Sequence, residues 1–80
     1  MKAVRYTRIA IKALKAMPAK DRNAIMNKLE AFAAGEPQDV SALKGSAFFR
    51  LRHGDWRAVF EQDEQEINVL DVAHRREIYR

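Results

Sequence analysis

The sequence predicts a small α+β domain: an N-terminal strand, a two-helix hairpin and a three-stranded antiparallel meander, with the helices on one sheet face. Three observations predict it. Between residues 8 and 34, apolar residues recur at helical spacing in two blocks separated by Pro18. Between residues 48 and 73, apolar and polar residues alternate instead, around a Gly54-Asp55 pair suited to a tight hairpin turn. The third is size: a chain of 80 residues with 48% hydrophobic content supports one core, so residues 1–80 are expected to form one domain.

The elements follow in chain order. Val4 and Tyr6 alternate with Ala3 and Arg5, the pattern of a short strand within residues 1–6. Thr7 can cap a helix start. Ile9, Ala10, Ala13, Leu14 and Met17 then form an apolar stripe, with Arg8, Lys12 and Lys15 opposite. Pro18 breaks the first helix and suits the opening turn of the second. There Ile25, Leu29 and Phe32, with Ala24 and Ala33, make the buried stripe, and Gly35 supplies the stop. Residues 36–41 are turn-rich and lead through Ala42-Leu43-Lys44-Gly45 into strands at about 48–53, 56–62 and 66–73. Asp63-Glu64 falls near the tip of the second hairpin.

Composition removes several classes of function. Without cysteine there are no disulfides, no thiol nucleophile and no cysteine-ligated zinc. The two histidines lack metal-ligand spacing, and no metal or other cofactor is expected. No apolar run approaches membrane-spanning length or the core of a signal peptide, so a cytoplasmic location without a membrane partner is expected. The net charge of +4 favours a polyanionic partner. Its placement says more than its size: every basic residue after residue 47 is an arginine, at 50, 52, 57, 75, 76 and 80.

If Gly54-Asp55 is the turn, His53 lies opposite Trp56, Arg52 opposite Arg57, Leu51 opposite Ala58 and Phe49 opposite Phe60. Opposed residues share a sheet face. One face then carries Phe49, Leu51, Trp56, Ala58 and Phe60 for the core. The other carries Arg50, Arg52, Arg57 and Val59 on an exposed surface. Like charges placed opposite one another destabilise a sheet. Two readings remain for the arginines: solvation of an outer face, whose apolar surface their stems cover, or an anion site in which bound phosphate relieves the repulsion.

The tail, His74-Arg75-Arg76-Glu77-Ile78-Tyr79-Arg80, admits the same pair of readings. Tyr79 is either a half-buried aromatic with its hydroxyl at the rim or a titratable group beside cations. His74 is either an ordinary strand-end histidine or a reactive one.

Together, Leu43-Lys44-Gly45, Phe49-Arg50-Leu51-Arg52, Gly54-Asp55-Trp56-Arg57-Ala58-Val59-Phe60 and the closing His74-Arg75-Arg76-Glu77-Ile78-Tyr79-Arg80 resemble the RelE/ParE toxin superfamily, most closely its RelE branch. The resemblance covers essentially the whole chain and implies a RelE-like domain. It implies a type II toxin that enters the ribosomal A site and cuts messenger RNA without a metal, inhibiting translation. The ribose 2′-hydroxyl attacks the adjacent phosphorus, leaving a 2′,3′-cyclic phosphate and a free 5′-hydroxyl. By matched position it implies that Arg50 and Arg52 line the active site and that Arg57 and Arg75 contact phosphate. It makes Tyr79 the C-terminal tyrosine, acting as base or stacking on a nucleobase, with His74 ranked behind it. Arg8, Lys12, Lys15 and Arg76 are the expected RNA contacts, although the helix stripe reads equally as a solvated face. Partners implied are the ribosome with its messenger RNA and a cognate antitoxin covering the arginine face, the tail or the groove beside the helices. No direct DNA binding is expected without that antitoxin. Some relatives continue into a further C-terminal helix, and some have lysine where this chain has arginine. The alternative functions are a ParE-like poison of DNA gyrase, which is not a nuclease, and an inactive relative that only binds RNA.

Overall fold

The computed structural model describes residues 1–75. Its elements are strand β1 (Ala3–Tyr6), helices α1 (Arg8–Ala16) and α2 (Ala19–Ala33), and strands β2 (Val40–Ala42), β3 (Phe49–His53), β4 (Trp56–Gln62) and β5 (Glu66–His74). Thr7 caps α1 as expected, its hydroxyl oxygen accepting from Ala10 N at 3.1 Å. Pro18 holds the N-cap position of α2, and Gly35, at φ +95°, follows its C-cap Ala34.

The strands form one five-stranded sheet in the order β1-β5-β4-β3-β2, wider than the expected meander. The meander β3-β4-β5 is present. Its outer positions are taken by β1, parallel to β5, and by β2, antiparallel to β3. β2 is the element absent from the sequence reading, which left residues 36–41 as turns. It is three residues long, and its ladder is completed by a partner about ten residues away.

The core lies between the helices and one sheet face. Ala10, Leu14, Met17, Ile25, Leu29 and Ala33 from the helices meet Leu51, Ala58, Phe60, Ile67, Val69 and Val72 from the sheet. Phe60 is fully buried and contacts the rings of Phe32 and Phe49, at centroid distances of 5.8 and 5.6 Å. One member of the expected stripe departs from it: Ile9 is 66% exposed.

A bulge sets the register of β5. Val59 pairs with Asp71 while Phe60 pairs with Val69, so Leu70 is the extra residue. Val69 and Val72, three apart, would otherwise point to opposite faces; the bulge lets both enter the core. It also turns Asp71 to the outer face, beside Val59. Thr7 secures the irregular stretch, its hydroxyl donating to Leu70 O at 2.8 Å and its N–H to Val69 O at 2.9 Å. Among the described residues no helix is long and apolar enough to cross a membrane.

Candidate functional site: a buried arginine among arginines

The β3-β4 hairpin has the register expected: Phe49 pairs with Phe60, Leu51 with Ala58, Arg52 with Arg57 and His53 with Trp56. Gly54 adopts φ +56° and Asp55 does not share the positive φ, the pattern of a II′ turn with glycine at its first central position. Arg50, Arg52 and Arg57 therefore share the face away from the helices. The β4-β5 pairing adds Ala73 beside Arg57 and Asp71 beside Val59.

Arg57 differs from the expectation of an exposed side chain. It is only 5% exposed. Its guanidinium folds back over the turn, Nη1 donating to Gly54 O at 2.8 Å and to Trp56 O at 3.0 Å. Its buried Nε has no partner among the described residues. Burial lowers its pKa first, and the charges of Arg52, Arg50 and Arg75 lower it further, with Asp55 opposing them. Arg57 is thus a largely buried cation in the field of three other arginines, with a donor unused among the described residues. An unsatisfied buried donor costs ~1–3 kcal/mol, more when charged. An anion seated here would supply both the missing acceptor and the missing countercharge.

The surrounding groups are held from several elements. Arg50 Nη2 donates to Ser41 Oγ on β2 at 3.3 Å. Arg52 is exposed, and its backbone N–H donates to Asp39 O at 2.9 Å. Arg75 comes from the far end of β5 and is fastened to the hairpin turn. Its N–H donates to Asp55 O at 2.6 Å, and its Nη1 lies 3.8 Å from Asp55 Oδ1. Asp55 was not singled out from the sequence, where a turn aspartate needs no further explanation.

His74 leaves the outer face but shares Asp55 with Arg75. It pairs with Trp56 on the helix-side face, where the two rings meet edge-on at 5.5 Å, and its Nε2 is 4.0 Å from Asp55 Oδ2. Tyr79 and Arg76 lie outside the described residues. The other histidine has a structural setting that sequence reasoning missed. Lys28 Nζ lies 2.9 Å from His53 Nδ1, and His53 Nε2 lies 3.3 Å from Asp21 Oδ1. Lysine only donates, so Nδ1 accepts and Nε2 carries the hydrogen. This ties α2 to the strand end next to Gly54. No short-range signal reveals it, because the partners are 25 and 32 residues away.

Arg8, Lys12 and Lys15 are exposed on α1. Lys15, with Tyr6, Ile11, Leu14, Arg22 and Met26, lines an apolar groove of about 390 Å³ between the helices. The Tyr6 hydroxyl is buried without a partner among the described residues, and burial, aided by Glu30, pushes its pKa up to about 12. Among the described residues no cluster of three or more His, Asp or Glu could hold a metal ion.

The fold is shared with solved chains of several toxin–antitoxin complexes. A chain of the RelB–RelE antitoxin–toxin complex from Methanococcus jannaschii superposes with a TM-score of 0.79 at 25% identity, covering 94% of each chain. A chain of the RelBE2 toxin–antitoxin complex from Mycobacterium tuberculosis gives 0.80 at 20% identity, over 91% of this chain and 96% of that one. A chain of the DinJ–YafQ complex from Escherichia coli gives 0.75 at 11% identity over the full length of both. No curated protein matches. The family model described as the ParE toxin of the type II toxin–antitoxin system parDE matches residues 4–79, and the chain belongs to that family, within the RelE/ParE superfamily.

Proposed function

We infer that this toxin is a ribosome-dependent messenger RNA endoribonuclease. The observation that carries the reading is Arg57: a buried guanidinium with an unused Nε–H, surrounded by Arg50, Arg52 and Arg75. A site specialised for protein binding alone gains little from such a group, whereas a scissile phosphodiester needs it. Arg57 and Arg75 hold the phosphate and offset the charge that grows on its oxygens during attack. Arg50 and Arg52 extend the positive surface along the RNA backbone. The 2′-oxygen bonds to phosphorus as the bond to the 5′-oxygen breaks, giving a 2′,3′-cyclic phosphate and a 5′-hydroxyl.

One proton leaves the 2′-hydroxyl and one reaches the departing 5′-oxygen. Tyr79 takes the first. An unperturbed tyrosine has a pKa of ~10, and neighbouring arginines favour its phenolate. An arginine of the cluster assists the second. His74, linked to the site through Asp55 at the turn, ranks behind Tyr79 as a base. Arg8, Lys15 and Arg76 meet ribosomal RNA phosphates, and Lys12, on the same helix as Arg8 and Lys15, reaches the message beside the cut. All of this takes place in the cytoplasm.

The neutralising partner is a cognate antitoxin, as in the complexes of similar fold. Its segment is acidic and amphipathic, fitting both the arginine face and the groove rimmed by Lys15 and Arg22.

A second reading, the gyrase poison, draws on the ParE description of the matching family model. Two assays on the purified chain separate them. The nuclease cuts a defined messenger RNA only on ribosomes with an empty A site and leaves gyrase supercoiling untouched. Inhibition of supercoiling with no cut in either setting would overturn the first reading in favour of the second.

A further inference from the structure

α1 and β5 enclose a cleft of about 510 Å³ lined by Ile9, Lys12, Ala13, Ala16, Asp71, Val72 and Ala73. Its origin is in the topology. β1 pairs with β5 only as far as Val69, and Thr7 then carries the chain away from the sheet edge into α1. Beside residues 71–73 the edge of β5 faces the Ile9-Lys12-Ala13-Ala16 side of the helix. The exposure of Ile9 finds its explanation here, because the isoleucine forms one wall of the cleft.

Ala73 lines the cleft and is also the direct neighbour of Arg57 across the β4-β5 pair. The cleft therefore opens beside the phosphate site. Its walls are apolar except for two groups of opposite charge, Lys12 and Asp71. Asp71 reaches the outer face only because of the bulge at Leu70. One of its oxygens accepts from Val72 N at 2.8 Å, which fixes the carboxylate and leaves the other oxygen for a ligand.

We propose that this cleft is a nucleobase subsite next to the cleaved phosphate, that Asp71 is its specificity-determining residue, and that it favours guanine. The proposal rests on the nuclease reading above. The Ile9 and alanine walls take the face of the base, as apolar surfaces do for splayed single-stranded RNA. The carboxylate accepts from the Watson–Crick edge, where guanine presents adjacent N1–H and N2–H donors, while Lys12 donates to O6. Uracil fits worst, since its single N3–H lies between two carbonyl oxygens that the carboxylate repels.

The test begins without the ribosome. Guanosine 3′-monophosphate and uridine 3′-monophosphate are titrated into the protein while the Ile9 methyl and Asp71 amide signals are followed by NMR. The guanosine nucleotide is expected to shift both and to bind about ten-fold more tightly, in keeping with the discrimination one well-placed base contact gives. Asp71→Asn keeps an oxygen for the Val72 N–H, so the fold stands, and the guanine preference should vanish. Ile9→Ser should weaken both nucleotides together. Equal binding of the two by the wild type, or a preference that survives Asp71→Asn, overturns the subsite. Cleavage of ribosome-bound messages differing only in the base beside the cut separates the two levels. An unaltered base order in Asp71→Asn overturns the subsite alone, and no cut in any message overturns the nuclease reading.

Discussion

Phe60 and Arg57 stand three residues apart on one strand, both almost completely buried, in opposite kinds of surroundings. Phe60 points to the helices and is met by Phe32, Phe49 and the aliphatic core. Every neighbour lowers its free energy. Arg57 points the other way: two turn carbonyls accept from it, the charges of three further arginines oppose its own, and its Nε has no acceptor among the described residues. Proteins leave local rules unmet chiefly at functional sites. The sheet thus has one face whose interactions are complete within the fold and another on which, among the described residues, a buried donor stays open.

Substitutions that separate the two faces sharpen this contrast. Phe60→Ala removes the central ring of the core and is expected to cost ~3–5 kcal/mol, read as a large fall in melting temperature. Any activity lost would return in proportion to the folded fraction. Arg57→Met should do the reverse. Replacing a buried, poorly paired charge by an apolar chain is often neutral or stabilising. The melting temperature should hold or rise while cleavage falls ~100- to 1,000-fold, the usual consequence of losing one charge-stabilising donor. A melting temperature that falls as steeply as in Phe60→Ala would erase the distinction between the faces. Tyr79→Phe should lower cleavage by orders of magnitude with ribosome binding nearly intact, and undiminished cleavage would move the base elsewhere.

The smallest effect belongs to Tyr6, the unpartnered hydroxyl on the helical side. Its pKa in the folded protein, about 12, exceeds the ordinary value of 10.0, so the folded state holds its proton more tightly than the unfolded chain. The resulting stability is complete below pH 10 and is lost as pH rises toward 12. Tyr6→Phe should remove that slope and, by deleting an unsatisfied buried group, slightly raise stability at neutral pH. Urea titrations at pH 8 and pH 11 check both signs. An unchanged slope in Tyr6→Phe would assign it to other groups.

The hairpin was legible in the sequence because its information is local. Gly54-Asp55 fixes the turn, strict alternation fixes the faces, and the register from Phe49–Phe60 to His53–Trp56 follows. Three other features depend on distant parts of the chain. β2 is too short to show a period and exists by pairing with β3. The bulge at Leu70 is dictated by where Val69 and Val72 must go, and it alone brings Asp71 to the outer face. Arg57 reads as one more charged residue on a solvent face, yet its guanidinium is drawn back onto the carbonyls of Gly54 and Trp56, with β5 paired alongside. The same applies to Ile9, which helical spacing assigns to the core. It is left outside because α1 continues along an edge that β1 has already vacated.

The most direct measurement is end mapping of a messenger RNA exposed to the purified toxin on ribosomes with an empty A site, for the wild type and Arg57→Met in parallel. The expected result is a single cut in the A-site codon, with a 2′,3′-cyclic phosphate upstream and a 5′-hydroxyl downstream, lost in an Arg57→Met protein that is folded and still binds the ribosome. A folded Arg57→Met protein that cuts at the wild-type rate would contradict it.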